Sequence, residues 1–259
     1  RLTPCDTGRV RVAIATMTLV REPGEAALLE SGLADLTALG HRVFVTDGTS
    51  APVFAQRLAQ LGGLDVRRSA HGPGLVAQVQ TSVEAAERSG VEFICYTEPD
   101  KVAFFHEGLP RLLDALPDDD RVGIVVASRS PRAMDTFPPV QQYAERAIND
   151  LTGHLLGAAG DYSYGPFVMR AALARAVLAA PLDVGWGWRH FLFGTASRLG
   201  LGVRHLVGDF TCPDDQRGET HAERLHRLRQ LEQNTRGLLR SLDDAAGQPG
   251  GLARRSPRS

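Results

Sequence analysis

The chain of 259 residues holds a single lysine, Lys101; its other basic residues, 28 in number, are arginines. Acids and bases nearly cancel, with a formal net charge of −1. No global field therefore favours nucleic acid or a charged membrane surface. Cysteine is scarce: Cys5, Cys95 and Cys212 are far apart and match no metal or redox spacing. A disulfide framework is excluded, and a reducing, cytoplasmic compartment is the expectation. No apolar run approaches the ~20 residues that cross a bilayer, so no transmembrane segment is expected. Two phosphate signatures are missing as well. No G-x-G-x-x-G follows the first strand pattern, and no G-K-[ST] occurs, which excludes the dinucleotide fingerprint and the P-loop.

What is present is ordinary for a soluble globular protein, 43% hydrophobic and 23% charged. Strand and helix patterns alternate through the first half. "VRVAIAT" (10–16), "HRVFVTDG" (41–48), "DVRRSA" (65–70), "VEFICYT" (91–97) and "RVGIVVAS" (121–128) read as strands. Between them, 22–40, 51–63, 73–90 and 101–116 carry helical spacing, and the first three close on glycine. Such alternation implies a mostly parallel sheet with helices on both faces. Right-handed crossovers then gather the strand C-terminal ends on one edge, where ligands bind. The polar residues collected there are Thr16, Asp47, Gly48, His71, Gly72, Glu98, Asp100 and Lys101.

The second half changes character. A proline-rich connection at 129–139 is long enough to be a mobile loop. Helices are expected at 140–157, in the later part of 161–180, after an aromatic turn at 185–200, and at 219–242, with a further strand at 202–210. The tail 243–259 has the composition of a disordered segment. The chain is expected to be one domain over 1–242, with a nucleotide-binding half at 9–128 and an acceptor half at 129–242.

Glu98 and Asp100 straddle a proline after a buried strand. Two close carboxylates repel unless a cation sits between them, and Mg²⁺ or Mn²⁺ held with substrate phosphates would serve. The competing reading is a solvated turn that caps the next helix. Lys101 is either a phosphate contact or an exposed residue at a helix start. "HGPG" (71–74) combines glycine flexibility with a helix N-terminus, which suits anions. "DYSYGPFVMR" (161–170) offers Asp161 and two tyrosines. "GWGWRH" (185–190) sets Trp188 and Arg189 among glycines.

In this order the pieces resemble the GT-A nucleotide-diphospho-sugar glycosyltransferases over residues 9–240. "IATMT" (14–18) and "VTDG" (45–48) stand where that family holds the nucleoside. "YTEPDK" (96–101) stands where it carries an Asp-x-Asp metal motif, here with glutamate first. The resemblance implies a nucleotide-diphospho-sugar donor, a small hydroxylated acceptor and a Mg²⁺ or Mn²⁺ cofactor. Thr16 and Asp47 would hold the nucleoside, with His71, Gly72 and Lys101 at the donor phosphates. Glu98, Asp100 and His221 would bind metal, His190 and His226 being alternatives to His221. Asp161, Tyr164, Trp188 and Arg189 would face sugar or acceptor. Inverting members place an acid near the Gly/Trp loop; Trp-Arg-His stands here, which points to the retaining members similar to mannosylglycerate and glucosyl-phosphoglycerate synthases. A sugar-phosphate nucleotidyltransferase and a non-catalytic binding protein stay as alternatives, and a homodimer is compatible with the chain.

Overall fold

The computed structural model describes residues 10–20, 23–48, 50–117 and 119–243. Cys5, and the expected disordered tail apart from Asp243, lie outside them. Seven strands form one sheet: β1 (Val12–Thr18), β2 (Arg42–Asp47), β3 (Leu64–Arg68), β4 (Phe93–Tyr96), β5 (Val122–Arg129), β6 (Phe167–Arg170) and β7 (Gly202–Gly208). Their order is β3-β2-β1-β4-β6-β5-β7. All neighbours pair in parallel except β6, which runs antiparallel to both β4 and β5. The fold is therefore α/β with a mostly parallel sheet, as expected. Strand order reverses at β1, with β2 on one side and β4 on the other, and this makes their C-terminal ends the crevice of the sheet.

Helices α1 (Pro23–Ala38), α2 (Pro52–Gln60), α3 (Leu75–Arg88) and α4 (Val102–Asp114) fill the crossovers of the first half. The second half supplies α5 (Pro131–Met134), α6 (Pro139–Leu156), α7 (Ala174–Leu178), α8 (Trp188–Arg198) and α9 (His221–Asp243). Alternation along the strands divides the core between two faces. Ala13, Phe44, Ile94, Tyr96 and Phe167 pack with residues of α3, α7 and α8. Ile14, Val45, Cys95 and Val168 pack with residues of α1, α2 and α4. Burial pushes the Cys95 thiol up to about 12, which fits a small apolar residue rather than a reactive one.

Two expectations change, and a third point is sharpened. The 129–139 connection carries α5, and Ala133 and Met134 are buried. Ser130 accepts a hydrogen bond from the Ala133 amide and Pro131 opens the helix, the usual pairing of an N-cap residue with proline at the first helical position. Before the expected helix in the later part of 161–180, residues 167–170 form a strand that runs antiparallel between β4 and β5. Lys101 takes the N-cap position of α4, with no side-chain cap bond.

Helix α9 reaches the sheet indirectly. It packs on α6, on α8 and on the 3-10 turn Leu182–Gly187. The crossing depends on two facing glycines: a Cβ at Gly237 would stand 1.9 Å from the Gly187 carbonyl oxygen. Backbone cannot yield there as a flexible side chain would. Gly237→Ala is expected to cost roughly 2–3 kcal/mol by overpacking and to lower the thermal midpoint by about 5–10 °C, read by calorimetry.

Candidate functional site

Two cavities lie on the strand-end edge. The first, of about 240 Å³, is walled by the β4–α4 turn (Glu98, Asp100, Lys101), by Arg129 at the end of β5, and by Ser163 and Tyr164 before β6. Trp186 and Arg189 come from the 3-10 turn and the start of α8, and α9 closes the far side with His226, Arg227, Gln230 and Asn234. The second, of about 920 Å³, lies among the ends of β2 and β3, α2 and the start of α3, and is lined by Asp47, Gly48, Arg68, Gly72 and Gln78 among others.

The floor of the first cavity is an ion network. Arg129 is fully buried at its side chain. Its Nε and Nη2 donate to Asp161 at 2.6 and 3.0 Å, and Nη2 also donates to Glu145 at 2.5 Å. Asp161 further accepts from Asn149 Nδ2 and from the Ser163 amide, at 2.9 and 3.0 Å. Burial alone would raise the Asp161 pKa; the charge and hydrogen bonds of Arg129, with the backbone amides, outweigh it and hold the carboxyl below its usual range. Burial also works against the Arg129 charge, and Glu145 and Asp161 overcome it. The guanidinium lies 4.5 Å from the Phe137 ring centroid and 5.5 Å from that of Tyr164. Arg129 Nη1 remains buried without a partner.

Above this floor, Arg189 Nη1 donates to Glu98 Oε1 at 3.2 Å, with both side chains nearly buried. Glu98 Oε2 and Arg189 Nε have no partner. The pair fits because residue 165 is glycine: its φ is +130°, and a Cβ there would stand 2.5 Å from Glu98 Oε2. Asp100 differs from Glu98. Its side chain is 41% exposed and lies 3.7 Å from Lys101 Nζ.

The residues expected from sequence divide by position. Glu98, Asp100, Lys101 and Arg189 meet in the first cavity, while Asp47 and Gly72 line the second. Thr16 is fully buried within β1; the strand runs two residues further than the sequence pattern suggested, and Thr18 rather than Thr16 donates to Asp47, at 2.9 Å. The Asp47 carboxylate also accepts from the Ser50 amide and hydroxyl. His71 lines neither cavity and pairs with Glu84 on α3 at 3.1 Å. Asp161 lies beneath the first cavity as the partner of Arg129. Trp188 is core: it is fully buried, edge-on to Tyr96 at 4.7 Å, and Trp186 takes the place at the cavity wall. His221 opens α9 on the surface and lines neither cavity, whereas His226 faces the first. His190 is fully buried and burial depresses its pKa to about 3.

Arg129 was missed, and on the α9 wall only His226 was considered, as an alternative to His221, while Arg227, Gln230 and Asn234 were missed. Both had a signal: Arg129 ends β5 on the same edge as the other strand-end residues, and positions 226, 230 and 234 repeat every fourth residue along one helix face. Among the described residues no three His, Cys, Asp or Glu side chains form a group able to hold a metal ion.

Solved structures share this fold. Glucosyl-3-phosphoglycerate synthase from Mycobacterium tuberculosis in complex with UDP matches with a TM-score of 0.66 at 17% identity, over 90% of this chain and 80% of its own. The same enzyme in complex with Mn²⁺, UDP-glucose and phosphoglyceric acid matches at 0.64 and 17% identity, over 93% and 81%. Mannosyl-3-phosphoglycerate synthase from Rubrobacter xylanophilus matches at 0.61 and 14% identity, over 96% and 79%. No family model matches the chain, and no curated protein matches it in sequence. At these identities the likeness is one of fold.

Two outcomes follow from the site. Gly165→Ala is expected to lose roughly 2 kcal/mol, from a backbone conformation unsuited to alanine and from displacement of Glu98; urea unfolding reads it. Asp161 has a depressed folded pKa. Its contribution is fully present above its unfolded value of about 3.9 and is lost as pH falls through the folded value. In Asp161→Asn the protein should be less stable at pH 7, and the gap to the parent should narrow towards pH 2 in melts across that range.

Proposed function

We propose that the chain is a nucleotide-sugar-dependent glycosyltransferase that moves a sugar from a nucleoside diphosphate to a small hydroxylated acceptor, with retention at the anomeric carbon. The observation that carries this reading is the asymmetry of the acidic turn after β4: Glu98 is held by Arg189, while Asp100 stays exposed on the cavity wall. It is supported by the fold shared with glucosyl-3-phosphoglycerate synthase, one of whose solved complexes includes UDP-glucose and phosphoglyceric acid, and with mannosyl-3-phosphoglycerate synthase. The donor nucleoside belongs in the larger cavity beside Asp47 and Gly72, and the diphosphate at the turn, where Lys101 supplies charge.

Retention rests on the state of the acids. Glu98 is paired with Arg189, and Asp161 and Glu145 with Arg129. An inverting reaction needs a general base, a carboxylate or a histidine, to take the acceptor proton; on the first cavity's wall Asp100 is the one acid paired with neither arginine, and His226 is the one histidine. Committing both to the diphosphate and its cation leaves neither for that task.

A divalent cation, Mg²⁺ or Mn²⁺, suits this donor set in a limited form. Hard cations bound beside phosphates commonly take one or two protein groups, the substrate and water completing the shell. Asp100 and His226 line one cavity and would hold it, with the unpartnered Glu98 Oε2 accepting from a bound water. When bound, such an ion offsets the charge that develops on the leaving diphosphate. The protein's own part is to aim Lys101 and Arg189 at that charge, to present Trp186 as a flat apolar face for a sugar ring, and to wall the reaction from water with α9.

One observation favours a second reading. The Glu98–Arg189 ion pair already neutralises half of the acidic motif, as would suit a protein that binds a nucleotide-sugar without transferring it. Transfer assays with UDP- and GDP-sugars separate the two. Asp100→Ala should abolish both transfer and the divalent-dependent part of nucleotide-sugar binding, measured by calorimetric titration with and without Mn²⁺. His226→Ala should weaken the Mn²⁺ dependence at least tenfold, whereas His221→Ala should leave it unchanged. Undiminished transfer in Asp100→Ala removes the assignment.

A further inference from the structure

Two buried glutamines stand in the first half of α3 and have opposite fates. Gln80 donates from Nε2 to the carbonyls of Val177, Leu178 and Ala180, at 3.3, 3.1 and 3.0 Å, and so ties α3 to the end of α7. Gln78, two residues earlier and therefore on another face of the helix, is 6% exposed, and its Oε1 has no hydrogen-bond partner. A buried carboxamide oxygen left unpaired is costly, and in a native site it calls for an explanation.

The surroundings of Gln78 supply one. It sits in the first turn of α3, its amide bonded to the Gly74 carbonyl, so it lies on the strand-end edge of the sheet. Its side chain lines the larger cavity together with Asp47, Gly48 and Ser50. The carboxamide presses on Gly48, the residue just past β2: a Cβ there would stand 2.4 Å from Gln78 Nε2 and 2.9 Å from Oε1. Gly48 has no left-handed backbone angle to account for its identity. What the absent side chain provides is the room in which the carboxamide lies. The one carboxylate nearby is not available as a substitute, because Asp47 is bonded to Thr18 and Ser50.

We infer that Gln78 reads the base of the nucleotide, its Oε1 accepting from a base N–H and its Nε2 able to donate to the neighbouring ring oxygen or nitrogen. A carboxamide is suited to this because it offers one donor and one acceptor side by side in a fixed order, so a base edge that presents the complementary pair at that place is favoured over one that does not. Base selectivity thus resides at the first turn of α3 and the end of β2, apart from the charged turn at Glu98–Lys101 that meets the diphosphate. This inference rests on the glycosyltransferase reading for the presence of a nucleotide in the larger cavity.

Titration of the intact protein with UDP, GDP, CDP and ADP tests both. The parent should prefer one base over the least favoured by at least tenfold. Gln78→Leu, close in size and without polar atoms, should bring the four affinities to within about threefold, chiefly by a loss of roughly ten- to hundredfold for the preferred base, and should leave inorganic pyrophosphate affinity unchanged. Gly48→Ala should act in the same direction by displacing the carboxamide without removing it. Unaltered base preference in a folded Gln78→Leu protein overturns the inference and leaves the glycosyltransferase reading intact, as does a parent that binds all four alike. A parent that binds none of the four overturns both. A Gln78→Leu protein that fails to fold passes the decision to Gly48→Ala, where unchanged preference is equally fatal.

Discussion

The structure around the first cavity depends on one buried cation. Arg129 ends β5, an interior strand next to the sheet's edge, with its guanidinium out of water, a placement that is strongly unfavourable unless acids meet it with good geometry. Asp161 and Glu145 do so from two directions, one from the segment before β6 and the other from α6. The same Asp161 oxygen that takes Arg129 Nη2 also takes the Asn149 amide and the Ser163 backbone. Strand β5, helix α6 and the 161–166 segment are thereby locked together by a few short contacts. Removing any partner would strand a charge in the interior, which is why the arrangement has little freedom to relax.

From that anchor the segment runs to Gly165, whose positive φ and missing side chain admit Glu98. Glu98 then meets Arg189, and Arg189 stands at the start of α8 with its guanidinium 5.4 Å from the centroid of the Trp186 ring. A chain of contacts thus connects the antiparallel strand to the acidic turn and on to the Gly/Trp segment. Its electrostatic consequence is that the cavity presents a single exposed carboxylate, Asp100, among Lys101, Arg189 and Arg227. Such a balance favours an anionic group that can share Asp100 through a cation.

The division into two cavities follows from the strand order. Reversal at β1 separates the ends of β2 and β3, with α3 beside them, from the ends of β4 and β5. The first group offers a roomy recess with hydrogen-bonding side chains, and the second a smaller, charged one. No helix among the described residues is long and apolar enough to cross a membrane; α9 lines the first cavity with His226, Arg227, Gln230 and Asn234.

Sequence alone determined that the sheet is mostly parallel and that its strand ends gather on one edge, because period-two and period-3.6 patterns are local and chirality fixes the crossovers; the antiparallel β6 and the strand order came from the tertiary structure. It also determined that Glu98, Asp100 and Lys101 would stand at that edge, since they directly follow a buried strand. Which side chains face the site was decided only by tertiary packing. Trp186 and Trp188 share one motif, yet the start of α8 turns the second into the core beside Tyr96 and leaves the first at the wall. Asp161 became a buried counter-ion because Arg129, 32 residues away in the chain, needed one. His226 rather than His221 lines the cavity, because α9 presents the former to it and begins with the latter in solvent. Strand ends are fixed by local pattern; the direction of a side chain, and the partner that claims it, depend on residues distant in sequence that only the folded chain brings together.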